Sequence, residues 1–261
     1  MTMKIGDFDL DKKVLIVAEI GNNHEGDFNV AKELVVEAAL AKVDAVKFQT
    51  FVPNHFISAS EPERLERLNK FRLTNEQFTY LSELARGLGL IFFSTPFDLA
   101  SASFLDSIQS VFKISSGDNN FIPLVRTVAS FNKPTIISTG MADISLVRKT
   151  VDFWGKYSDN SKLALLHCVS SYPVPIGQEN LGAILELGKT FPNITIGYSD
   201  HTLGIEAGKL SVAAGARIVE KHFTLNKTHS NFRDHQLSAD PNEMSNLVKA
   251  IREVEIQIGK I

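Results

Sequence analysis

Eight short runs of β-branched and aromatic residues, spaced along the whole chain, constrain its fold more than any other feature. They occupy residues 14–20, 44–49, 90–95, 110–115, 134–139, 163–168, 195–201 and 218–222. Each is short enough for a buried strand and nearly continuous in its apolar character, as parallel strands covered on both faces require. Helical apolar spacing occupies residues 28–41, 75–87, 122–131, 145–156, 181–191, 205–214 and 241–259. Thr74 stands at the N-cap position of the second of these. Residues 51–73 are polar, carry Pro53 and Pro62, and suit a lid-like loop or short helix. Residues 1–13 alternate loosely around Gly6 and read as a short N-terminal hairpin closing the bottom of the fold.

Strand–helix alternation of this kind implies parallel strands joined by right-handed crossovers. Eight units in about 250 residues is the size of a (β/α)8 TIM barrel, here a single α/β domain over residues 1–261. A doubly wound open sheet is the runner-up. It calls for a glycine-rich phosphate loop after the first strand, and Gly21-Asn-Asn-His-Glu-Gly26 lacks that pattern.

The chain has 261 residues, 44% hydrophobic, with a formal net charge of -3 and no run of Lys or Arg, which argues against nucleic acid as a partner. Its apolar runs are far too short for a membrane span, and the N-terminus lacks the apolar centre of a signal peptide. The single cysteine, Cys168, forms no internal disulfide. These features predict a cytoplasmic protein.

The chemistry concentrates at the C-terminal ends of the strands, where barrel active sites lie. Thr195-Ile-Gly-Tyr-Ser-Asp-His201 and Ile218-Val-Glu-Lys-His222 each end in a histidine. Alternation puts Ser199 with His201 on one face, and Glu220 with His222 on one face of their own strand. Two neutral imidazoles on adjacent strands suit a divalent cation, and two hydrogen-bonded histidines at strand ends are the plainer reading. Glu19, Lys47, Lys113 and Glu220 are charged residues inside otherwise apolar strands, and such charges need partners. Thr95, Ser115, Ser116, Ser138, Ser170 and Ser199 fall at or just beyond strand ends. With the two lysines they make an anion cradle suited to a phosphorylated substrate. Lys47 and Lys113 also fit a Schiff-base aldolase, which has no need of the histidine pair. His167 and Cys168 read as a buried structural pair, since no feature lowers the thiol pKa.

The motifs that carry these residues resemble the sialic acid synthase family. They are Ala18-Glu-Ile-Gly-Asn-Asn-His-Glu-Gly26, Val46-Lys-Phe-Gln-Thr50, Phe93-Ser-Thr-Pro-Phe97, Phe112-Lys-Ile-Ser-Ser-Gly117 and Ser138-Thr-Gly-Met141. Leu166-His-Cys-Val-Ser-Ser-Tyr-Pro173, Ile196-Gly-Tyr-Ser-Asp-His-Thr-Leu203, Val219-Glu-Lys-His-Phe-Thr-Leu225 and Arg233-Asp-His-Gln-Leu-Ser238 follow in order. The resemblance implies a metal-dependent transferase that condenses phosphoenolpyruvate with an open-chain N-acyl amino sugar, such as N-acetylmannosamine. A nonulosonic acid and phosphate would result, for polysaccharide biosynthesis. It assigns a divalent metal, typically manganese (magnesium or cobalt as alternatives), to His201 and His222. It assigns phosphoenolpyruvate to Lys47, Thr95, Lys113, Ser116, Ser138, Ser170 and Ser199, and the sugar to Gln49, Tyr172 and Asp234. Glu19 and Glu220 become the candidates for proton transfer, with Lys113 the third catalytic residue.

Two departures bear on the sugar. Family members continue into a small antifreeze-like domain that caps the partner subunit's site in a homodimer, whereas this sequence ends at Ile261. The cap is then a separate chain, missing through truncation, or dispensable. Asp118 stands where relatives often carry Glu near the sugar, and residues 51–72 match relatives poorly. A non-catalytic barrel and a metal-dependent aldolase remain as alternatives.

Overall fold

A computed structural model describes residues 3–259. The chain opens with a two-stranded antiparallel hairpin, β1 (Lys4–Ile5) and β2 (Phe8–Asp9). Then comes the alternating series β3 (Leu15–Gly21), α1 (Phe28–Leu40), β4 (Ala45–Thr50), α2 (Pro53–Phe56), α3 (Pro62–Phe71), α4 (Asn75–Gly87) and β5 (Ile91–Pro96). It continues through α5 (Leu99–Leu105), β6 (Phe112–Ile114), α6 (Ile122–Ser130), β7 (Thr135–Ser138), α7 (Ile144–Trp154), β8 (Leu163–His167) and α8 (Gly182–Thr190). Last come β9 (Thr195–Asp200), α9 (Glu206–Ala213), β10 (Ile218–His222), α10 (Arg233–Leu237) and α11 (Pro241–Ile258).

The parallel strands run in the order β5-β4-β3-β10-β9-β8-β7-β6, and β5 lies beside β6 to close the ring. This is the (β/α)8 barrel that the alternation predicts. The β5/β6 seam relies in part on a side chain. The Ser94 N–H donates to Gln109 Oε1 at 2.7 Å, so a backbone donor facing the seam keeps a partner.

Period-two alternation divides each strand into an outer and an inner face. Outer residues such as Ile16, Ala18, Val46, Phe48 and Val219 join the helices in the main core. Inner residues Leu15, Val17, Ala45, Phe93, Ile136, Ala164, Leu166 and Ile218 form a second apolar layer inside the barrel. Met3, Ile5 and Leu10 of the N-terminal segment plug that layer from below. The next inner positions towards the strand C-termini are Glu19, Lys47, Thr95, Lys113, Ser138, Ser199 and Glu220. Each is buried above the apolar layer.

Four helices go beyond the sequence reading. Residues 51–73 hold two helices, α2 and α3, each with proline in its first turn. Helix α5 was not anticipated because LASASFL is short and rich in small residues, so its apolar face is weak. Asp98 starts it by accepting from the Ser101 N–H at 2.9 Å. Helix α10, only five residues long, is likewise unmarked by any periodicity. The expected cap at Thr74 forms a reciprocal capping box with Gln77. Among the described residues no helix is long and apolar enough to cross a membrane.

His24, in the β3–α1 turn, offers a stability test remote from the strand-end histidines. Its Nδ1 accepts from the Gly26 N–H at 3.0 Å, so the ring is neutral there. Burial pushes its pKa from 6.5 down to about 4, against the opposing pull of Asp27 and Glu25. The unfolded chain therefore binds the extra proton first. Stability is complete above about pH 6.5 and declines as the pH falls towards 4, by on the order of 3 kcal/mol. Urea titrations at pH 7 and pH 4.5 should show this loss in the native chain, and much less of it in His24→Asn. Equal losses in the two proteins would assign the acid sensitivity elsewhere.

Candidate active site

The barrel mouth opens into a cavity of about 1320 Å³. Its floor is a group of four buried charges from the inner faces of β3, β4, β6 and β10. Lys47 Nζ lies 2.9 Å from Glu220 Oε2 and 3.5 Å from Glu19 Oε2, and Lys113 Nζ lies 3.5 Å from Glu220 Oε1. Ser199 Oγ donates to Glu220 Oε1 at 3.0 Å, and Gln49 Nε2 donates to Glu19 Oε1 at 3.2 Å. Two cations thus offset two anions in a region where an unpaired charge would be costly.

The environment separates the two carboxylates. Burial raises the Glu19 pKa, and the nearby Glu220 charge adds to that shift while Lys47 opposes it. Burial also works against ionised Glu220, but Lys113 and Lys47 outweigh it and hold that carboxyl below the usual range. Burial lowers the Lys113 pKa, whereas for Lys47 the attraction of Glu19 and Glu220 outweighs burial and raises it. A carboxyl shifted towards its protonated form beside one held ionised suits acid–base chemistry.

The other predicted residues fall around this floor. Thr95, Ser116, Ser138, Ser170, Ser199 and Tyr172 all line the cavity, as do Gln49 and Asp234. Asp118 does not line it. Its carboxylate accepts from Ser115 Oγ at 2.5 Å and closes its own turn. His167 and Cys168 point to opposite sides of β8 and form no dyad. His167 Nε2 meets the Glu179 carbonyl at 2.8 Å, while Cys168 Sγ lies 3.0 Å from Ser116 Oγ.

His201 and His222 face each other across the β9–β10 pair, with ring centroids 5.6 Å apart. His201 Nδ1 lies 2.8 Å from the Val169 carbonyl, which fixes the proton there and leaves Nε2 with the lone pair. Tyr172 stacks on that ring at 4.3 Å, its hydroxyl 3.2 Å from Nε2. Burial lowers the pKa of both imidazoles, and for His222 the neighbouring His201 adds to the effect. His222 Nδ1 is buried without a hydrogen-bond partner. Neutral rings, one oriented by a backbone carbonyl and one with an orphaned nitrogen, fit a divalent cation held by two imidazoles. Among the described residues no third His, Cys, Asp or Glu completes a cluster of three, so further donors would come from substrate or water.

Orphaned polar atoms gather here in general. Besides His222 Nδ1, Asn22 Oδ1 and Ser138 Oγ have no partner, and Glu19 Oε2, Glu220 Oε2 and Asp234 Oδ1 have only an ion-pair neighbour; all belong to residues that line the cavity. Unmet buried polar groups are uncommon in native proteins and mark places where a ligand supplies the bonds. Gly140 shapes the same wall. A Cβ there would lie 2.6 Å from Ser170 Oγ and 2.7 Å from Ser116 Oγ, so only glycine lets the hydroxyls converge.

Sequence reading missed several lining residues. Arg233 stacks over Tyr172 at 4.7 Å and meets Asp234 at 3.4 Å; its place beside Asp234 was the available signal. It also missed Lys221, which turns outward and pairs with Asp200 at 3.1 Å beneath the helices. That ion pair ties the ends of β9 and β10 one residue behind each histidine.

A polar, charge-balanced cavity at the C-terminal mouth of a parallel eight-stranded barrel defines a barrel enzyme's active site. The model of the NeuB family matches residues 34–261, and the chain belongs to that family. It is 43% identical over 261 residues to the N,N'-diacetyllegionaminic acid synthase of Legionella pneumophila subsp. pneumophila, covering 94% of this chain and 73% of that protein. The crystal structure of N-acetylneuraminic acid (sialic acid) synthetase from Leptospira borgpetersenii serovar Hardjo-bovis, in complex with citrate, superposes with a TM-score of 0.94. It is 34% identical, and the match covers 99% of this chain and 90% of that one. A truncated 3-deoxy-D-arabino-heptulosonate 7-phosphate synthase from Thermotoga maritima, 14% identical with a TM-score of 0.77, shares the fold. The resemblance read in the motifs is thus the family the chain belongs to.

Proposed function

We propose that this chain condenses phosphoenolpyruvate with an open-chain N-acyl amino sugar, giving a nonulosonic acid and phosphate for glycan biosynthesis. Consumption of phosphoenolpyruvate agrees with a cytoplasmic location. The observation that carries the reading is the buried Glu19–Lys47–Glu220–Lys113 ring, set between an arc of hydroxyls and a pair of neutral histidines. Lys47, Lys113, Thr95, Ser116, Ser138, Ser170 and Ser199 would hold the carboxylate and phosphoryl groups. Gln49, Tyr172 and Asp234 would orient the sugar. A divalent cation on His201 and His222, manganese in our reading, supplies Lewis acidity at the sugar aldehyde when bound.

In the reaction, C3 of phosphoenolpyruvate forms a bond to the aldehyde carbon, and the aldehyde oxygen gains a proton. Glu19, whose carboxyl pKa burial raises to about 7, is placed to donate it. Water adds at C2, losing its proton to ionised Glu220. The bond from C2 to the phosphate oxygen then breaks, the C2 hydroxyl proton passes to the departing phosphate, and a 2-keto acid remains.

Following free phosphate and product mass with phosphoenolpyruvate, manganese and a panel of N-acyl hexosamines tests this. Release that depends on one sugar and is lost with a chelator is the expected result. Borohydride trapping of a lysine adduct, without phosphate release, would replace the reading with a Schiff-base aldolase. Gly140→Ala, which intrudes on the Ser116 and Ser170 hydroxyls, should raise the KM for phosphoenolpyruvate at least about tenfold while leaving thermal stability within a few degrees. An unchanged KM would move the anion cradle elsewhere.

A further inference from the structure

The turn between β3 and α1 holds the neighbouring segment between β10 and α11. Glu25 Oε1 accepts from His235 Nε2 at 3.0 Å and from the Ser230 hydroxyl. On the far side of the ring, His235 Nδ1 lies 2.7 Å from Thr224 Oγ1. This imidazole is buried, and both of its nitrogens are thus satisfied. Ser230 Oγ accepts in turn from the Phe232 N–H at 3.0 Å. Asn23 Nδ2 ties both ends of the segment, donating to the Phe223 carbonyl at 2.8 Å and to Ser238 Oγ at 3.0 Å. The proposed reaction uses none of Asn23, Glu25 and His235.

What these bonds hold is α10. At five residues it is too short to persist on its own hydrogen bonds, and Phe232 supplies no side-chain cap at its start. Its place is therefore set by tertiary contacts. Its first two residues, Arg233 and Asp234, line the cavity, and Arg233 lies over Tyr172, which stacks on His201. The Glu25 backbone has φ +48°, a left-handed conformation uncommon for a residue with a Cβ. Such a conformation persists where the surroundings fix the residue. Burial works against the Glu25 charge, but Ser230 and His235 outweigh it and hold the carboxyl below the usual range, so it stays an acceptor at neutral pH.

From this tether we infer that Glu25 and His235 are positioning residues: through α10 they fix Arg233 and Asp234 at the end of the cavity where the sugar binds. The inference rests on the proposed condensation for the identity of the bound molecule, whereas the tether itself does not. Glu25 also borders the cavity, so a direct contact with the sugar is the competing reading. A misplacement of α10 by about 1 Å would loosen the sugar without disturbing the hydroxyls that face phosphoenolpyruvate, which come from β6 to β9 and the turns after them.

Glu25→Ala removes the acceptor, and Glu25→Gln keeps an acceptor oxygen where both donors converge. Hydrogen–deuterium exchange and steady-state kinetics of these variants and the native chain test the inference. In Glu25→Ala the amides of residues 226–238 should exchange at least about tenfold faster, with those of β7 and β8 unchanged. The KM for the N-acyl amino sugar that best supports phosphate release should rise about tenfold, with the KM for phosphoenolpyruvate within about twofold. Glu25→Gln should restore most of both. Native exchange in Glu25→Ala would overturn the inference, and a raised sugar KM alongside it would make Glu25 a direct sugar contact. Faster exchange with an unchanged sugar KM would overturn it as well, as would a Glu25→Gln variant as impaired as Glu25→Ala. If the native chain releases phosphate with no sugar, the condensation fails and exchange alone decides the tether. Loosening in Glu25→Ala that Glu25→Gln repairs then upholds it, and native exchange overturns it.

Discussion

Replacing Lys47 with Met is expected to destabilise the protein by about 3–5 kcal/mol, the usual cost of breaking a buried ion pair from one side. Lys47 is the cation shared by Glu19 and Glu220, and all three side chains are almost wholly buried. Methionine fills the volume but leaves two carboxylates facing one remaining cation, Lys113. A lower urea midpoint at unchanged m-value would report the loss. The double variant Lys47→Met/Glu220→Gln removes one charge of each sign and should recover part of it. Loss below about 1 kcal/mol in the single variant would mean that water, not Lys47, satisfies the carboxylates. Under the proposed reaction both variants should also release little phosphate.

The second large effect is expected from His201→Ala. The ring is oriented by the Val169 carbonyl and covered by Tyr172, so its removal orphans one carbonyl and one hydroxyl, at roughly 1–3 kcal/mol. The fold should survive, because the Asp200–Lys221 pair behind it still joins β9 to β10. Manganese affinity, measured by the loss of the free-ion electron paramagnetic resonance signal, should fall by more than about 100-fold. Metal-stimulated phosphate release should fall to background with it. Unchanged manganese affinity would show that the histidine pair is structural.

Much of the site was legible because strand alternation is a local rule. Once residues 14–20, 44–49 and 218–222 are read as parallel strands, Glu19, Lys47 and Glu220 must share the inner face with Leu15, Ala45 and Ile218. A charge that interrupts an apolar strand then needs a partner across the barrel. The motifs around these strands added the family, which the comparisons bear out.

Loop geometry was not legible in the same way. Asp118 looked like a sugar contact, but Ser115 lies within reach and takes its carboxylate into a turn. The phenylalanines at 51, 56, 71, 97 and 232 lie up to 181 positions apart, and no periodicity links them. Helices α2 and α5 are only four and seven residues long, so their pattern spans too few turns to stand out.

The sequence by itself determined the barrel, which residues of a strand share a face, and the gathering of glutamates, lysines, hydroxyls and histidines at one end. Those follow from hydrophobic period and strand count. Only the tertiary structure decided which charges pair, how close the two imidazoles stand, and that phenylalanines from separate segments line one cavity. Those depend on inter-strand register and on how three separate loops pack together, and both are set by contacts between residues distant in the chain.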